Sequence, residues 1–174
     1  MIRTVTRFIS SLFLILFFLG CSKSDELSIE QKDEIRNEVR GMFDQYHSAI
    51  GKEGLTGEFA YLDNSADFFW VPPAYTSALD YDSVKTILEA NSKGFQSIEF
   101  HWDTLSVSPL SKTIANYSGI VKGVMTDTAG VKLPVAIIES GTVIKRNDGW
   151  KLLSGQSAVL PAKSNNEQQL NTNP

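Results

Sequence analysis

His47 and His101 are the only imidazoles in this chain of 174 residues, and Cys21 is its only thiol. His101 and Asp103 stand two apart in a stretch of alternating apolar and polar residues, so on a strand they share one face. A histidine beside a carboxylate reads as a general base with the group that orients it, and equally as an exposed, solvated pair. Tyr46 and Tyr117 add phenols able to polarise a substrate oxygen. A structural zinc site usually takes four Cys or His ligands, which this inventory does not supply, and a lone thiol forms no disulfide. No metal and no cofactor is expected.

Three helices and a run of strands must position these groups. Ile35, Val39, Met42, Phe43, Tyr46, Ala49 and Ile50 recur at three- and four-residue intervals, which predicts one amphipathic helix over Ile29–Ile50. Ser28 is its cap, and Gly51 and Gly54 end it. Leu55–Leu62 reads as a second, short helix. Asp67–Val71 reads as an aromatic strand stopped by Pro72-Pro73. Tyr81–Asn91 reads as a third helix, capped by Asp80 and followed by Gly94. From Phe95 the period becomes two, which predicts strands over about 97–108, 113–127, 132–146 and 150–160. Helices ahead of consecutive antiparallel strands make a segregated α+β domain, with the sheet curving round the long helix.

Alternation then assigns faces. A three-residue turn at Asn147–Gly149 pairs Arg146 with Trp150 and keeps Lys145 and Lys151 out of the core. In that register Ile138, Ser140, Thr142, Ile144, Trp150, Leu152, Ser154 and Gln156 face inward, and Glu139 faces out. Val107 and Leu105 carry Asp103 and His101 inward with them. The expected pocket comprises Tyr46, Phe59, Trp70, His101, Asp103, Tyr117, Ser140, Ser154 and Gln156. Tyr46, Trp70 and Tyr117 read also as core aromatics with a satisfied polar tip. Asp63 and Asp67 read as helix-end and turn residues. Val143, Leu153, Gly141 and Gly155 form a flat outer patch suited to a homodimer, or to no partner at all.

The order of elements resembles the nuclear transport factor two-like, or SnoaL-like, superfamily of cone-shaped α+β domains (cystatin-like architecture). The resemblance rests on the helix ending in Phe43, Tyr46, Ala49 and Ile50, and on the strand Phe68-Phe69-Trp70. It rests also on the pattern at Ala115, Tyr117 and Gly119, and on Thr142-Val143-Ile144 meeting Asp148-Gly149-Trp150-Lys151-Leu152-Leu153. It covers roughly residues 29–160 and implies a cavity at the open end of the cone. Members bind small molecules there, catalyse isomerisation, dehydration or cyclisation, or serve only as dimerisation or protein-binding modules. Many relatives carry histidines four and six residues after the tryptophan, where this chain has Ser154 and Gln156. Neither side chain exchanges a proton near neutral pH, and that departure favours binding without turnover.

The N-terminus tells where the domain works. Arg3 and Arg7 precede an uncharged run, Phe8–Leu19, too short for a helix to span a bilayer of ~30 Å. It has the length and flanks of a signal peptide over residues 1–20. Gly20-Cys21 resembles a bacterial lipoprotein processing site, which implies acylation of Cys21 and a lipid anchor in the cell envelope, on the outer membrane, with the domain in the periplasm or on the surface. An ordinary signal peptide and an uncleaved anchor are the alternatives. Residues 21–28 read as a tether, 29–160 as one domain and 161–174 as a polar tail too poor in apolar residues to fold. Hydrophobic content of 42% and charged content of 21% are ordinary for a globular chain. Losing Arg3 and Arg7 lowers the formal net charge from −4 to about −6, which disfavours nucleic acid as a partner.

The leading expectation is therefore a lipid-anchored domain holding a small, partly apolar molecule without catalysis. The alternatives are an isomerase, dehydratase or cyclase using His101 and Asp103, and a structural module.

Overall fold

The computed structural model describes residues 26–161. The expected signal peptide, Cys21 and nearly all of the polar tail lie outside the described residues.

Ser28 starts helix α1 (Ile29–Glu53) with a capping box: its hydroxyl accepts from the Gln31 N–H and the Gln31 side chain accepts from the Ser28 N–H. The expected apolar stripe is buried, with Val39 and Phe43 wholly inaccessible. Leu27, just ahead of the cap, is buried with it. The short helix expected over Leu55–Leu62 is a 3-10 helix over Gly54–Tyr61. Gly57 permits its close approach to α1, since a Cβ there would lie 2.5 Å from the Ala49 carbonyl oxygen. The chain doubles back hard against α1 and brings Glu58 beneath Tyr46.

Strand β1 (Phe69–Val71) ends at Pro72-Pro73, and helix α2 (Tyr81–Ser92) is capped by Asp80. The long strands are β2 (Phe95–Pro109), β3 (Ile114–Asp127), β4 (Lys132–Arg146) and β5 (Gly149–Val159), as the alternation predicted to within a few residues. The sheet runs β1-β5-β4-β3-β2, with β1 parallel to β5 and the other pairs antiparallel. Its inner face packs on α1, most extensively through β2.

Three local features overturn the expected facing of several residues. The final hairpin has a two-residue turn, pairing Arg146 with Gly149 and Lys145 with Trp150. This one-residue difference turns Val143, Gly141 and Glu139 inward and Ile138, Ser140 and Thr142 outward. Lys145 is tolerated on the inner side because it lies at the end of the sheet. Its stem crosses the Trp150 ring and its ammonium reaches Glu38 at 2.7 Å, so the charge leaves the core by snorkelling. An irregularity opposite Thr142 and Val143 then takes Leu153 out of step. Leu152 faces in, Ser154 and Gln156 face out, and Gly155 and Ser157 face in. A second bulge between Trp102 and Thr104 puts Ile98, Phe100 and Trp102 on the same face as Leu105 and Val107, which leaves His101 outside.

Candidate functional site

The inner face of the sheet, α1, the 3-10 helix and α2 enclose a cavity of about 270 Å³. Its walls are mainly aliphatic and aromatic, among them Leu55, Trp70, Val84, Ile87, Phe100, Val121, Ile137 and Leu152. Two carboxyl groups interrupt this lining: Glu58 from the 3-10 helix and Glu139 from β4. Tyr46 donates its hydroxyl hydrogen to Glu58 at 2.8 Å, and Tyr117 donates to Glu139 at 2.7 Å. Both carboxyls are half-buried, and both residues line the cavity.

Burial disfavours the charged form of each group. It raises Glu139 to about 7 against the tyrosine's opposing hydrogen bond. It raises Glu58 to about 8, with Glu139 adding like-charge repulsion. Burial likewise pushes the Tyr46 and Tyr117 phenols well above the ordinary tyrosine value, reinforced by the two carboxylates. His47 also lines the cavity, packed against Tyr46 and Trp102, and burial lowers it to about 4. At neutral pH His47 is therefore uncharged. Among the described residues, no lysine or arginine lines the cavity.

Of the pocket expected from sequence, Tyr46 and Trp70 line this cavity, and the Tyr117 hydroxyl reaches it through Glu139. Trp70 lies over Gly155 and donates its indole N–H to Ser157 at 3.3 Å. The others stand elsewhere. His101 is exposed on the outer face opposite Lys122, and Asp103 is paired with Lys122 at 2.9 Å. Ser140 and Gln156 line a wider, open cleft on the outer face of the sheet, and Ser154 lies on that face with them. Phe59 lies at a separate surface cleft, where Lys85 sits over its ring at 5.4 Å.

The expected dimer patch is corrected in the same way: Val143 is completely buried in the core, and Leu153 is half-buried at the bulge. Asp63 is buried too, gripped by Arg146 through two hydrogen bonds of 2.8 and 2.9 Å. That grip, together with Ser65, holds its carboxyl below the ordinary aspartate value. It ties the end of the 3-10 segment to the final hairpin.

Glu58 and Glu139 were missed by reasoning from the sequence. A glutamate in a short helix and another on a strand carry no motif. Only the two-residue turn, signalled by Asn147-Asp148-Gly149, would have turned Glu139 inward.

No family model and no curated protein matches the chain. Solved structures do. A nuclear transport factor 2 (NTF2-like) superfamily protein from Salmonella enterica aligns at 13% identity with a TM-score of 0.64, covering 78% of this chain and 97% of that one. This chain has the NTF2-like fold. A ketosteroid isomerase-like protein from Erwinia carotovora atroseptica aligns at 16% identity and TM-score 0.58, covering 72% and 96% of the two chains. A hexachlorocyclohexane dehydrochlorinase, LinA Type2, aligns at 12% identity and TM-score 0.61, covering 77% and 90%. A ketosteroid isomerase-like protein and a dehydrochlorinase thus stand among the structural neighbours of this fold. At these identities the likeness carries the fold and not the chemistry.

Proposed function

We propose that the cavity binds a small, largely apolar molecule and moves a proton on it, with Glu139 as base and Glu58 as acid. The observation that carries this reading is the pair of tyrosine-bound carboxyls set into an otherwise apolar cavity. General acid–base catalysis works best with groups that titrate near the working pH. Near pH 7 the pair loses its first proton, most readily from Glu139, while Glu58 keeps the second. One carboxylate is then ready to take a proton from a C–H bond. One carboxylic acid is ready to give a proton to another atom of the substrate or to a leaving hydroxyl. The outcome is isomerisation or loss of water, after which the two carboxyls re-equilibrate with solvent. Tyr117 and Tyr46 orient the carboxyls and stabilise whichever one is ionised. The absence of proton-exchanging groups, which argued for binding without turnover, does not apply to this lining.

The test is a panel of small cyclic ketones and hydroxy-ketones, with and without an amino substituent, incubated with the protein in D2O and followed by proton NMR. Protein-dependent exchange or water loss that disappears in Glu139→Gln supports the reading. Binding of panel members with no exchange at any pH between 6 and 9 overturns it in favour of a non-catalytic receptor.

We propose further that Cys21 carries lipid and holds the domain in the cell envelope, on the outer membrane. The signal-peptide pattern supports this, and so does the short span between Cys21 and the buried Leu27. A fatty-acid probe incorporated by the wild type and absent from Cys21→Ser tests it. A homodimer through the outer sheet face, if formed, would centre on the exposed Ile138 rather than Val143. Ile138→Asp would then yield a monomer.

A further inference from the structure

The cavity's phenolic donors are already engaged. Tyr46 and Tyr117 each spend their one proton on a carboxyl oxygen, Glu58 Oε2 and Glu139 Oε1. The second oxygens, Glu58 Oε1 and Glu139 Oε2, form no hydrogen bond among the described residues. They are not sealed off either: among these residues the only fully buried side-chain polar atom without a partner is Trp102 Nε1. Each second oxygen is therefore reachable by a ligand, as an acceptor on an ionised carboxyl and as a donor on one that keeps its proton. With no lysine or arginine in the lining, an anionic ligand finds no counter-charge. A carbonyl or ether oxygen finds both phenolic protons already engaged and meets only the carboxyl proton that Glu58 keeps. A head group rich in donors and carrying positive charge favours ionisation of the pair and meets carboxylate oxygen among the aromatic residues Tyr46, Trp70 and Phe100.

We infer that the ligand of this cavity is a small amine, its ammonium held between Glu58 and Glu139 and its hydrocarbon part against Val84, Ile87, Leu88 and Val121. The inference rests on the reading above only in taking this cavity as the site, and it names the chemical class of the molecule on which the proton moves. The titratable groups facing the carboxyl pair are Tyr46 and His47 from α1, Tyr61 from the 3-10 helix and Tyr117 from β3, none of them cationic at neutral pH. Helix α2 presents Asn91 and aliphatic side chains, and β5 presents Ser157 and aliphatic side chains. The ammonium is thus the sole cation at the pair, and its binding requires a carboxyl to ionise. Amine affinity therefore falls as the pair takes up protons.

The experiment compares three probes of one shape by calorimetry on the full chain: cyclohexylmethylamine, cyclohexylmethanol and cyclohexanecarboxylate, each at pH 6, 7 and 8. The amine is expected to bind at least ~10-fold tighter than the alcohol at pH 8 and to weaken by roughly 10-fold at pH 6, with the carboxylate weakest. In Glu58→Gln/Glu139→Gln the amine should lose that advantage while the alcohol changes by less than about twofold. The single Gln variants, whose carboxamides still accept from the tyrosines, are read beside it in case the double variant does not fold. If the alcohol binds as well as the amine, or if amine affinity ignores both pH and the substitutions, the inference is overturned and the cavity keeps its role. If no probe binds, the cavity is not the site and both readings are overturned.

Discussion

Tyr117 reaches Glu139 diagonally across the β3–β4 ladder, and the space for its ring is left by its directly paired neighbour, Gly141. A Cβ on Gly141 would stand 3.1 Å from the Tyr117 ring and 2.2 Å from the Ser154 carbonyl oxygen. The hydrogen bond that defines one half of the cavity's polar lining therefore depends on a glycine that never enters the cavity. Gly141→Ala forces β5 or the tyrosine to shift, at a cost of about 1–3 kcal/mol in chemical denaturation. Tyr117→Phe, which loses one hydrogen bond and keeps the ring, costs about 1 kcal/mol. A Gly141→Ala protein as stable as the wild type would contradict this account.

Stability should depend on pH in two opposed ways. In the folded chain Glu58 and Glu139 keep their protons to about 8 and about 7, while the unfolded chain loses both near 4.5. The folded state then binds more protons across that window, so this contribution falls as pH rises from about 4.5 to 8. Glu58→Gln removes its share, and its melting temperature should exceed the wild type's by roughly 5–10 °C at pH 8 and by little at pH 4. His47 acts on the acid side. It stays neutral in the fold down to about 4, whereas the unfolded chain protonates near 6.5. Its contribution is present above 6.5 and is lost as pH falls through 4, so His47→Phe should flatten the acid limb of the stability curve. Thermal scans from pH 4 to 9 read both; a constant difference between Glu58→Gln and wild type would contradict the first.

Arg146 holds the carboxylate of Asp63, whose side chain is only 5% exposed. Arg146→Ala would strand that buried charge and cost about 2–3 kcal/mol. Arg146→Lys should recover only part of this, because a single ammonium cannot reproduce the two-pronged grip. A lysine variant as stable as the wild type would contradict the account.

The outer-face pair makes a negative control. His101→Ala and Asp103→Ala should leave ligand binding and proton exchange within about twofold of wild type. Glu139→Gln should reduce exchange by roughly 100-fold or more, in line with loss of a general base. Activity lost with His101 and retained without Glu139 would move the chemistry to the sheet's other face.

Much of the architecture was legible because it is written in periodicity. The stripe of α1, the stop at Pro72-Pro73 and the alternation from Phe95 onward each reflect burial against one neighbour. The site was less legible because it depends on phase. The turn at Asn147-Asp148 is one residue shorter than expected, and the bulges at Asp103 and Leu153 shift alternation midway along their strands. Each exchanges inner for outer residues while leaving the pattern of strand and turn intact. Keeping both lysines out of the core was sound reasoning for mid-strand positions. It failed at Lys145 because the end of a sheet lets a long side chain carry its charge to Glu38. The resemblance directed attention to Ser154 and Gln156, whereas in this chain the carboxyl groups enter from β4 and the 3-10 helix.

The central claim is that two carboxyl groups inside one cavity give up their protons near neutral pH rather than near 4.5. A carbon-13 NMR titration of the glutamate side chains, assigned with Glu58→Gln and Glu139→Gln, measures this directly. The account predicts two resonances with midpoints near 7 and 8, each shifting when the other group is replaced. Both glutamates titrating independently near 4.5, with the exposed carboxylates, would contradict it.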